Sequence, residues 1–185
     1  TICVFGLGLI GQITAQLAKH AGASVIGVDI QSNRLFLAKS IGTDHVINPL
    51  ETNLIQDVAF ATNHHGVDTT IICAGANDNS IIQQAMEITR RKGRVVLVGD
   101  VPINFNRDPF YSKEIDFLIS CSYGPGRYDH TYEQQNIDYP YPYVRWTEQR
   151  NMSYFVELIE SKKLTLAPLI THEFAIEDAS QAYQA

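Results

Sequence analysis

The amino-acid sequence predicts an α/β fold in which helices cover both faces of a doubly wound, six-stranded parallel sheet, giving three layers. Short apolar runs alternate with helical patterns from the first residue to Gly99. These runs lack the apolar–polar alternation of a half-exposed strand, so we interpret them as strands buried on both faces. Strands that alternate with helices of this length form right-handed βαβ units.

The first strand is predicted at "ICVFG", and a helix follows over about residues 9–21. The next elements are, in order, a strand at "ASVIGVD", a helix over about 32–41, a strand at "HVIN", a helix at "NLIQDVAFATN", a strand at "VDTTIICAG", a helix at "SIIQQAMEITR" and a strand at "GRVVLVG". Beyond Gly99, "FYSKEIDFLISCS" predicts a helical turn and the sixth strand, "MSYFVELIESKKL" an amphipathic helix, "LITHEF" a strand and "AIEDASQAYQA" a final helix.

Length and composition indicate one globular domain over residues 1–185. Hydrophobic residues make up 45% and charged residues 18%, which argues against general disorder. A net charge of −6 disfavours nucleic acid as a partner, and the apolar runs are too short to span a membrane. The three scattered cysteines and the absence of a signal sequence favour the reducing cytoplasm. No CxxC, HxxxH or HExxH spacing occurs, so we expect no metal site in this chain.

Gly6, Gly8 and Gly11 form a Gly-x-Gly-x-x-Gly pattern between the first strand and the first helix, as a dinucleotide-binding turn requires. In such a turn the first glycine allows the tight bend, and the second lets the backbone approach a pyrophosphate. The third lets helix and strand pack closely. The helix N-terminus offers free N–H groups to the phosphates, and we assign Leu9 and Ile10 of this turn to the same site.

Asp29 ends the second strand, 18 residues after Gly11, where a carboxylate can accept hydrogen bonds from the adenosine ribose. A carboxylate there repels the extra phosphate of NADP, so NAD is the favoured cofactor. The alternative role of Asp29 is to cap the following helix. Ile30 and Arg34 are assigned to the same site; an arginine here is able to meet a 2′-phosphate, but beside Asp29 we expect it to pack against the adenine.

Three more strand ends belong to the predicted site, because open α/β sheets of this Rossmann type bind ligands outside the carboxyl ends of their strands. Small residues at these ends leave room for the nicotinamide half of the cofactor. The alternative is that they merely terminate the strands. The residues assigned on this ground are Cys73, Ala74, Gly75, Val98, Gly99, Asp100, Cys121 and Tyr123.

The segment "VFGLGLIGQITAQLAKHAGASVIGVDIQSNRLFLAKSIGTDHVIN" resembles the cofactor domain of medium-chain, zinc-type alcohol and threonine dehydrogenases. The resemblance continues through "IICAGA", "GRVVLVG", "KEIDFLISCS" and "HEFAIEDASQAYQ", and covers nearly all of the chain outside about 123–150. It implies reversible hydride transfer between an alcohol and NAD. It also implies a catalytic zinc on a separate N-terminal domain, whose Gly-His-Glu motif is absent here. We therefore expect this chain to be one domain of a larger enzyme, with no catalytic residue of its own and no turnover alone.

The segment over residues 123–150 is predicted to be a long loop, which in a compact domain is typically a lid, a binding loop or an interface arm. It resembles a subgroup of bacterial bi-domain oxidoreductases, which implies a polyol or sugar-derived alcohol as substrate. Its six tyrosines, with Trp146, Arg127 and Arg145, suit a partner surface, and the two arginines suit an anionic substrate group. The alternative is that these aromatic residues bury on the domain's own surface.

The sequence is also compatible with a second function and disfavours a third. One is a non-catalytic module that senses a dinucleotide and regulates a partner. The other is a short-chain dehydrogenase, which the sequence disfavours because no tyrosine has a lysine four positions later. The apolar sixth strand "DFLISCS" lies at a sheet edge, and the resemblance implies that it pairs with its copy in a homodimer.

Overall fold

A computed structural model describes residues 1–184 and contains the predicted parallel sheet of six strands. The strands are β1 (Ile2–Phe5), β2 (Val25–Val28), β3 (His45–Ile47), β4 (Val67–Ile72), β5 (Thr89–Leu97) and β6 (Asp116–Ile119). Their spatial order is β3-β2-β1-β4-β5-β6, and every neighbouring pair is parallel. The strand order reverses between β1 and β4, which creates the crevice where open α/β sheets bind ligands.

The helices connect the strands and follow the sixth one. They are α1 (Leu9–His20), α2 (Ser32–Ser40), α3 (Leu54–Ala61), α4 (Ser80–Ile88), α5 (Arg107–Phe110), α6 (His130–Gln135), α7 (Glu148–Glu160) and α8 (Ala179–Ala182), with 3₁₀ turns at Ala167–Leu169 and Ile176–Asp178. None of the helices within residues 1–184 combines the length and apolar character needed to cross a bilayer.

The core lies in two layers, one on each face of the sheet. Val4 and Val25 face α1 and α2 and pack with Ala15 and Ala38 of those helices. Cys3 and the other side chains that point the opposite way pack against α3 and α4. Adjacent strand residues point to opposite faces, so burial on both sides requires the continuous apolar runs seen in the sequence.

The boundary between the fourth helix and the fifth strand differs from the predicted one. The helix expected through Arg90 ends at Ile88, and β5 begins at Thr89. The Lys113 ammonium accounts for this end, because it donates to the main-chain carbonyls of Met86, Glu87 and Thr89 and so satisfies the helix terminus.

The strand predicted at "LITHEF" is wrong: the segment is irregular beyond the 3₁₀ turn Ala167–Leu169. Ile170 and Phe174 are spaced so that both would lie on the same face of a strand, but both side chains are exposed in the structure. A strand needs a neighbouring strand for its main-chain hydrogen bonds, and the sheet described here ends at β3 and β6.

Candidate cofactor site

The glycine turn between β1 and α1 has the backbone that the sequence pattern predicts. Gly6 has φ +82°, and a Cβ atom there would lie 2.7 Å from the backbone of Ala74 at the end of β4. A Cβ atom on Gly11 would lie 1.8 Å from the carbonyl oxygen of Gly6. Side chains are therefore excluded at both positions, and the turn is held tightly against the strand ends.

Gly8 differs from its two partners, because a Cβ atom built on it meets nothing within 4 Å. Its φ is −68°, so neither backbone conformation nor packing within the described residues demands glycine here. The adjoining N-terminus of α1 has no side-chain cap and no acidic residue in its first turn. The space above Gly8 and the N–H groups of this first turn together fit an anionic group such as a pyrophosphate.

The Asp29 carboxylate lies beside the glycine turn and is almost fully buried. One of its oxygens accepts the Leu7 main-chain N–H at 2.7 Å, and the other accepts the Gln31 N–H at 2.8 Å. A guanidinium nitrogen of Arg34 lies 3.6 Å from the first oxygen. A carboxylate oxygen has two lone pairs and can accept two hydrogen bonds, so each oxygen of Asp29 retains capacity for a ribose hydroxyl.

The ends of β4 and β5 form the other wall of the crevice. A Cβ atom on Gly99 would lie 2.1 Å from the Ala74 carbonyl oxygen, so these two strand ends pack in direct backbone contact. Gly75 is exposed and has open space around its Cα atom. The Asp100 carbonyl accepts the N–H of Ala76 at 3.0 Å, which ties the two ends together. The predicted residues from 73 to 75 and from 98 to 100 are thus gathered beside the glycine turn.

The predicted residues after β6 are placed differently. Cys121 and Tyr123 are exposed. Tyr123 lines a separate apolar cavity with Leu17 and His20, at the end of α1 farthest from the glycine turn. Their assignment to the cofactor site stays a prediction.

Leu7 and Gln12 contribute to this site and were missed at the level of sequence. The Leu7 N–H is the donor that holds Asp29, and Gln12 donates its amide hydrogens to main-chain carbonyls of Leu7 and Arg34. A main-chain contact leaves no mark on the residue type of Leu7. For Gln12 a signal was present, because glutamine is unexpected on the buried face of a short amphipathic helix.

The thiols near the site are held in their neutral form. Burial raises the pKa of the Cys73 thiol, which contacts the Thr14 hydroxyl at 3.6 Å. The fully buried Cys3 also has a raised pKa because of burial. Neither thiol has the lowered pKa of a nucleophile or metal ligand. Across residues 1–184, no three or more His, Cys, Asp or Glu side chains converge on a point that suits a metal ion.

Residues 123–147, here called the aromatic lobe, include α6 and pack partly on one another and partly on α7. The Tyr132 ring stacks on Tyr139 with 5.4 Å between centroids, and its hydroxyl donates to the buried Thr147 hydroxyl at 2.8 Å. The Arg145 guanidinium lies 4.9 Å from the Tyr141 ring and 4.4 Å from the Trp146 ring. Both of these rings remain about half exposed.

Comparison with known proteins identifies relatives along the whole chain. A family model described as zinc-binding dehydrogenase matches residues 10–137. Sorbitol dehydrogenase of Halalkalibacterium halodurans is 29% identical, with 100% of this chain and 48% of the relative covered. D-guloside 3-dehydrogenase of Escherichia coli is 31% identical, with 98% of this chain and 49% of the relative covered. The chain spans about half the length of the curated relatives it matches.

Solved structures share the fold. Alcohol dehydrogenase TADH from Thermus sp. ATN1 superposes with a TM-score of 0.76 at 23% sequence identity. The superposition covers 99% of this chain and 46% of that structure.

Proposed function

Since this chain belongs to the zinc-binding dehydrogenase family, we propose that it is the NAD-binding domain of an alcohol dehydrogenase-like oxidoreductase. The reaction is reversible hydride transfer between an alcohol and the nicotinamide ring of NAD. The bound cofactor supplies the hydride chemistry, and this domain binds and orients it. We propose further that residues 1–185 are a single domain of a longer polypeptide.

The open space over Gly8 is the observation that carries this proposal. Two of the three motif glycines are required by the fold of the chain itself, whereas nothing within residues 1–184 requires the second. A ligand that lies against the backbone at Gly8 accounts for a glycine there. The uncapped N-terminus of α1 beside it favours a ligand with phosphate groups.

Asp29 supports NAD over NADP as that ligand. Its buried carboxylate is ready to accept the two ribose hydroxyls of adenosine, and it would lie against the 2′-phosphate of NADP. The guanidinium of Arg34 lies 3.6 Å from that carboxylate, so the side chain is turned toward Asp29. We assign Arg34 to the face of the adenine.

The zinc implied by the family does not fit the residues present. The described part of the chain offers no grouping of three ligand side chains, and the thiols of Cys3 and Cys73 are neutral. We therefore assign no step of the reaction in this chain to zinc, and we place the ion on a catalytic domain outside it.

The names of the relatives support a polyol or sugar-derived alcohol as the substrate class. Two of them act, by name, on sorbitol and on a D-guloside. The aromatic lobe follows β6 and exposes rings that suit the apolar face of a sugar. We propose that it faces the substrate or the catalytic domain.

A homodimer through β6 is the proposed assembly. β6 is an edge strand, and Leu118 and Ile119 on it are 45% and 70% exposed. An open apolar edge of this kind needs a cover. In multi-angle light scattering, we expect Ile119→Lys to lower the measured mass from dimer to monomer. Phe36→Lys, at an exposed position on α2, is the control that leaves the mass unchanged.

The decisive experiment is titration of this chain with NADH, followed by nicotinamide fluorescence and by calorimetry. We expect saturable one-site binding that is tighter for NADH than for NADPH. Incubation of the chain alone with NAD and a polyol such as sorbitol is expected to yield no NADH. Failure to bind either dinucleotide overturns the proposal, and steady NADH production by the chain alone overturns the assignment of catalysis to another domain.

A further inference from the structure

Gln12 is a buried polar residue at the centre of the cofactor site, with an exposed fraction of 2%. Its side-chain nitrogen donates to the Leu7 carbonyl at 3.1 Å and to the Arg34 carbonyl at 2.9 Å. Both partners are acceptors, so the orientation of the amide is determined. Its side-chain oxygen is buried and has no hydrogen-bond partner among residues 1–184.

These contacts close a ring of four residues around the adenosine end of the site. Leu7 is held at its carbonyl by Gln12 and at its N–H by Asp29. Arg34 is held at its carbonyl by Gln12, and its guanidinium lies against Asp29. The side chains of Gln12 and Asp29 therefore connect the glycine turn to the end of β2 and to the first turn of α2.

The unpartnered oxygen shows that this arrangement is costly for the fold. A buried carbonyl without a donor is unfavourable, and an apolar side chain of similar shape would avoid that cost. The contribution of Gln12 to the site therefore comes from the two hydrogen bonds that its amide donates. They position the main chain from which the Arg34 side chain extends.

We propose that Gln12 is a positioning residue for cofactor selection. Its amide holds the first turn of α2 against the glycine turn, so that the Arg34 guanidinium stays on Asp29 instead of turning toward a 2′-phosphate. This inference rests on the proposed NAD-binding function. Without Gln12, the α2 turn shifts, Arg34 becomes free to pair with the additional phosphate of NADP, and the preference for NAD decreases.

Gln16 provides a matched control on the same helix, one turn further along. It is also buried, and its amide also bonds to main chain, at the N–H and carbonyl of Thr165. It shares the residue type and the helix of Gln12 and likewise donates to a main-chain carbonyl, but its oxygen also accepts an N–H, and its partner lies outside the cofactor site. A purely structural effect of losing a buried amide appears equally in both variants.

The experiment measures Kd for NADH and NADPH with the wild-type chain, Gln12→Met and Gln16→Met. We expect Gln12→Met to reduce the ratio of the NADPH Kd to the NADH Kd by about fivefold. This factor is at the lower end of the coupling factors that are typical between two sites. Gln16→Met lowers the unfolding temperature and leaves the ratio unchanged. In an Arg34→Met background, Gln12→Met has no further effect on the ratio, because the group it positions is gone.

The outcomes separate this inference from the function on which it rests. A wild-type chain that binds neither dinucleotide overturns both. A wild-type preference for NADH that Gln12→Met leaves unchanged, or that Gln16→Met alters equally, overturns only the role of Gln12. If Gln12→Met does not fold, Gln12→Asn replaces it, because its shorter amide reaches the two carbonyls less well; if neither folds, Gln12 is structural and the inference is wrong.

Discussion

The Asp29 carboxylate accepts the main-chain N–H of Leu7 at 2.7 Å, so the end of β2 holds the glycine turn that follows β1. This side chain therefore orders the turn, and we propose that it also presents an acceptor to the ribose. The N-cap role considered from the sequence is not the one observed, because the N-cap residue of α2 is Gln31, and the second oxygen of Asp29 accepts the N–H of that residue.

Replacement of Asp29 by asparagine is expected to reduce both stability and cofactor discrimination. Loss of the charge weakens the bonds from Leu7 and Gln31, with an expected cost of about 1–2 kcal/mol in the free energy of unfolding. The repulsion of a 2′-phosphate is lost too, so the Kd for NADPH approaches that for NADH. Urea unfolding and fluorescence titration measure the two effects. Unchanged discrimination in a folded Asp29→Asn variant would argue against the ribose role.

Gly6 and Gly8 are expected to respond in opposite ways to the same substitution. Gly8→Ala adds a methyl group to open space at an ordinary φ, so the unfolding temperature stays near that of the wild type. The same methyl group occupies the place proposed for the pyrophosphate, and NADH affinity falls by about tenfold, or about 1.4 kcal/mol.

Gly6→Ala is the partner variant in this pair. It combines a positive φ with a 2.7 Å approach to Ala74, so we expect a loss of about 2 kcal/mol or more in stability. Calorimetric unfolding and NADH titration of both variants give the comparison. Normal NADH binding by Gly8→Ala would remove the main support for a ligand at this turn.

Asp44 is expected to make the stability of the chain depend on pH in the acid range. Burial alone would raise the pKa of Asp44, but hydrogen bonds from the Lys19 ammonium and the Val25 N–H outweigh it and hold the pKa below its usual value. The stabilisation is complete above the unfolded-state pKa of about 3.9 and is lost as the pH falls through the lower folded-state value.

Urea unfolding between pH 6 and pH 2.5 tests this expectation. At pH 6 we expect Asp44→Asn to be less stable than the wild type by about 1 kcal/mol, because the ion pair is partly solvated. The difference shrinks toward the acid end of the series. Glu157→Gln, at an exposed position on α7, serves as the reference for removal of a carboxylate. A difference that persists unchanged at pH 2.5 would contradict the ionic origin.

Tyr132 is expected to hold the aromatic lobe in its folded shape. Tyr132→Phe retains the ring stack on Tyr139 but leaves the buried Thr147 hydroxyl without its donor. Thr147 lies at the N-cap position of α7 and joins the lobe to that helix, so we expect faster hydrogen exchange through residues 123–151 and a cost of about 1 kcal/mol. Tyr143→Phe is the control, because Tyr143 is 87% exposed. Equal exchange in the two variants would show that the lobe does not depend on this bond.

The alternation of strand and helix patterns predicts the sheet well, because a strand that is buried on both faces needs a continuous run of apolar residues. The strands that contain Val4 and Val25 are where the apolar runs indicate, whereas the strand that contains Val95 begins earlier, at Thr89. The boundary at Ile88 escaped prediction because it depends on Lys113, which is distant in sequence. The strand assigned to "LITHEF" failed because local alternation does not provide a neighbouring strand.

The site was predictable to the extent that function restricts side chains. The positions of Gly6, Gly11 and Asp29 each require a particular residue type, so the sequence indicates them directly. Leu7 acts through its main chain, and the bonds of Gln12 reach main-chain atoms of residues that are not neighbours in sequence. Such contacts follow from the folded path of the chain and leave little signal in the sequence. The sequence also left open whether the aromatic residues of the lobe bury on the domain's own surface, and in the structure Tyr128, Tyr141 and Tyr143 remain exposed.

The contact between Gly6 and Ala74 has a consequence for the order of folding. β1 lies in the middle of the sheet, and its second neighbour, β4, enters the sheet only after β2 and β3 have been laid down along the chain. Contacts between distant segments form slowly because a long loop must close first. The crevice is therefore incomplete in any intermediate that holds only the first three strands. The appearance of NADH binding during refolding would show when β4 to β6 pair with β1 to β3.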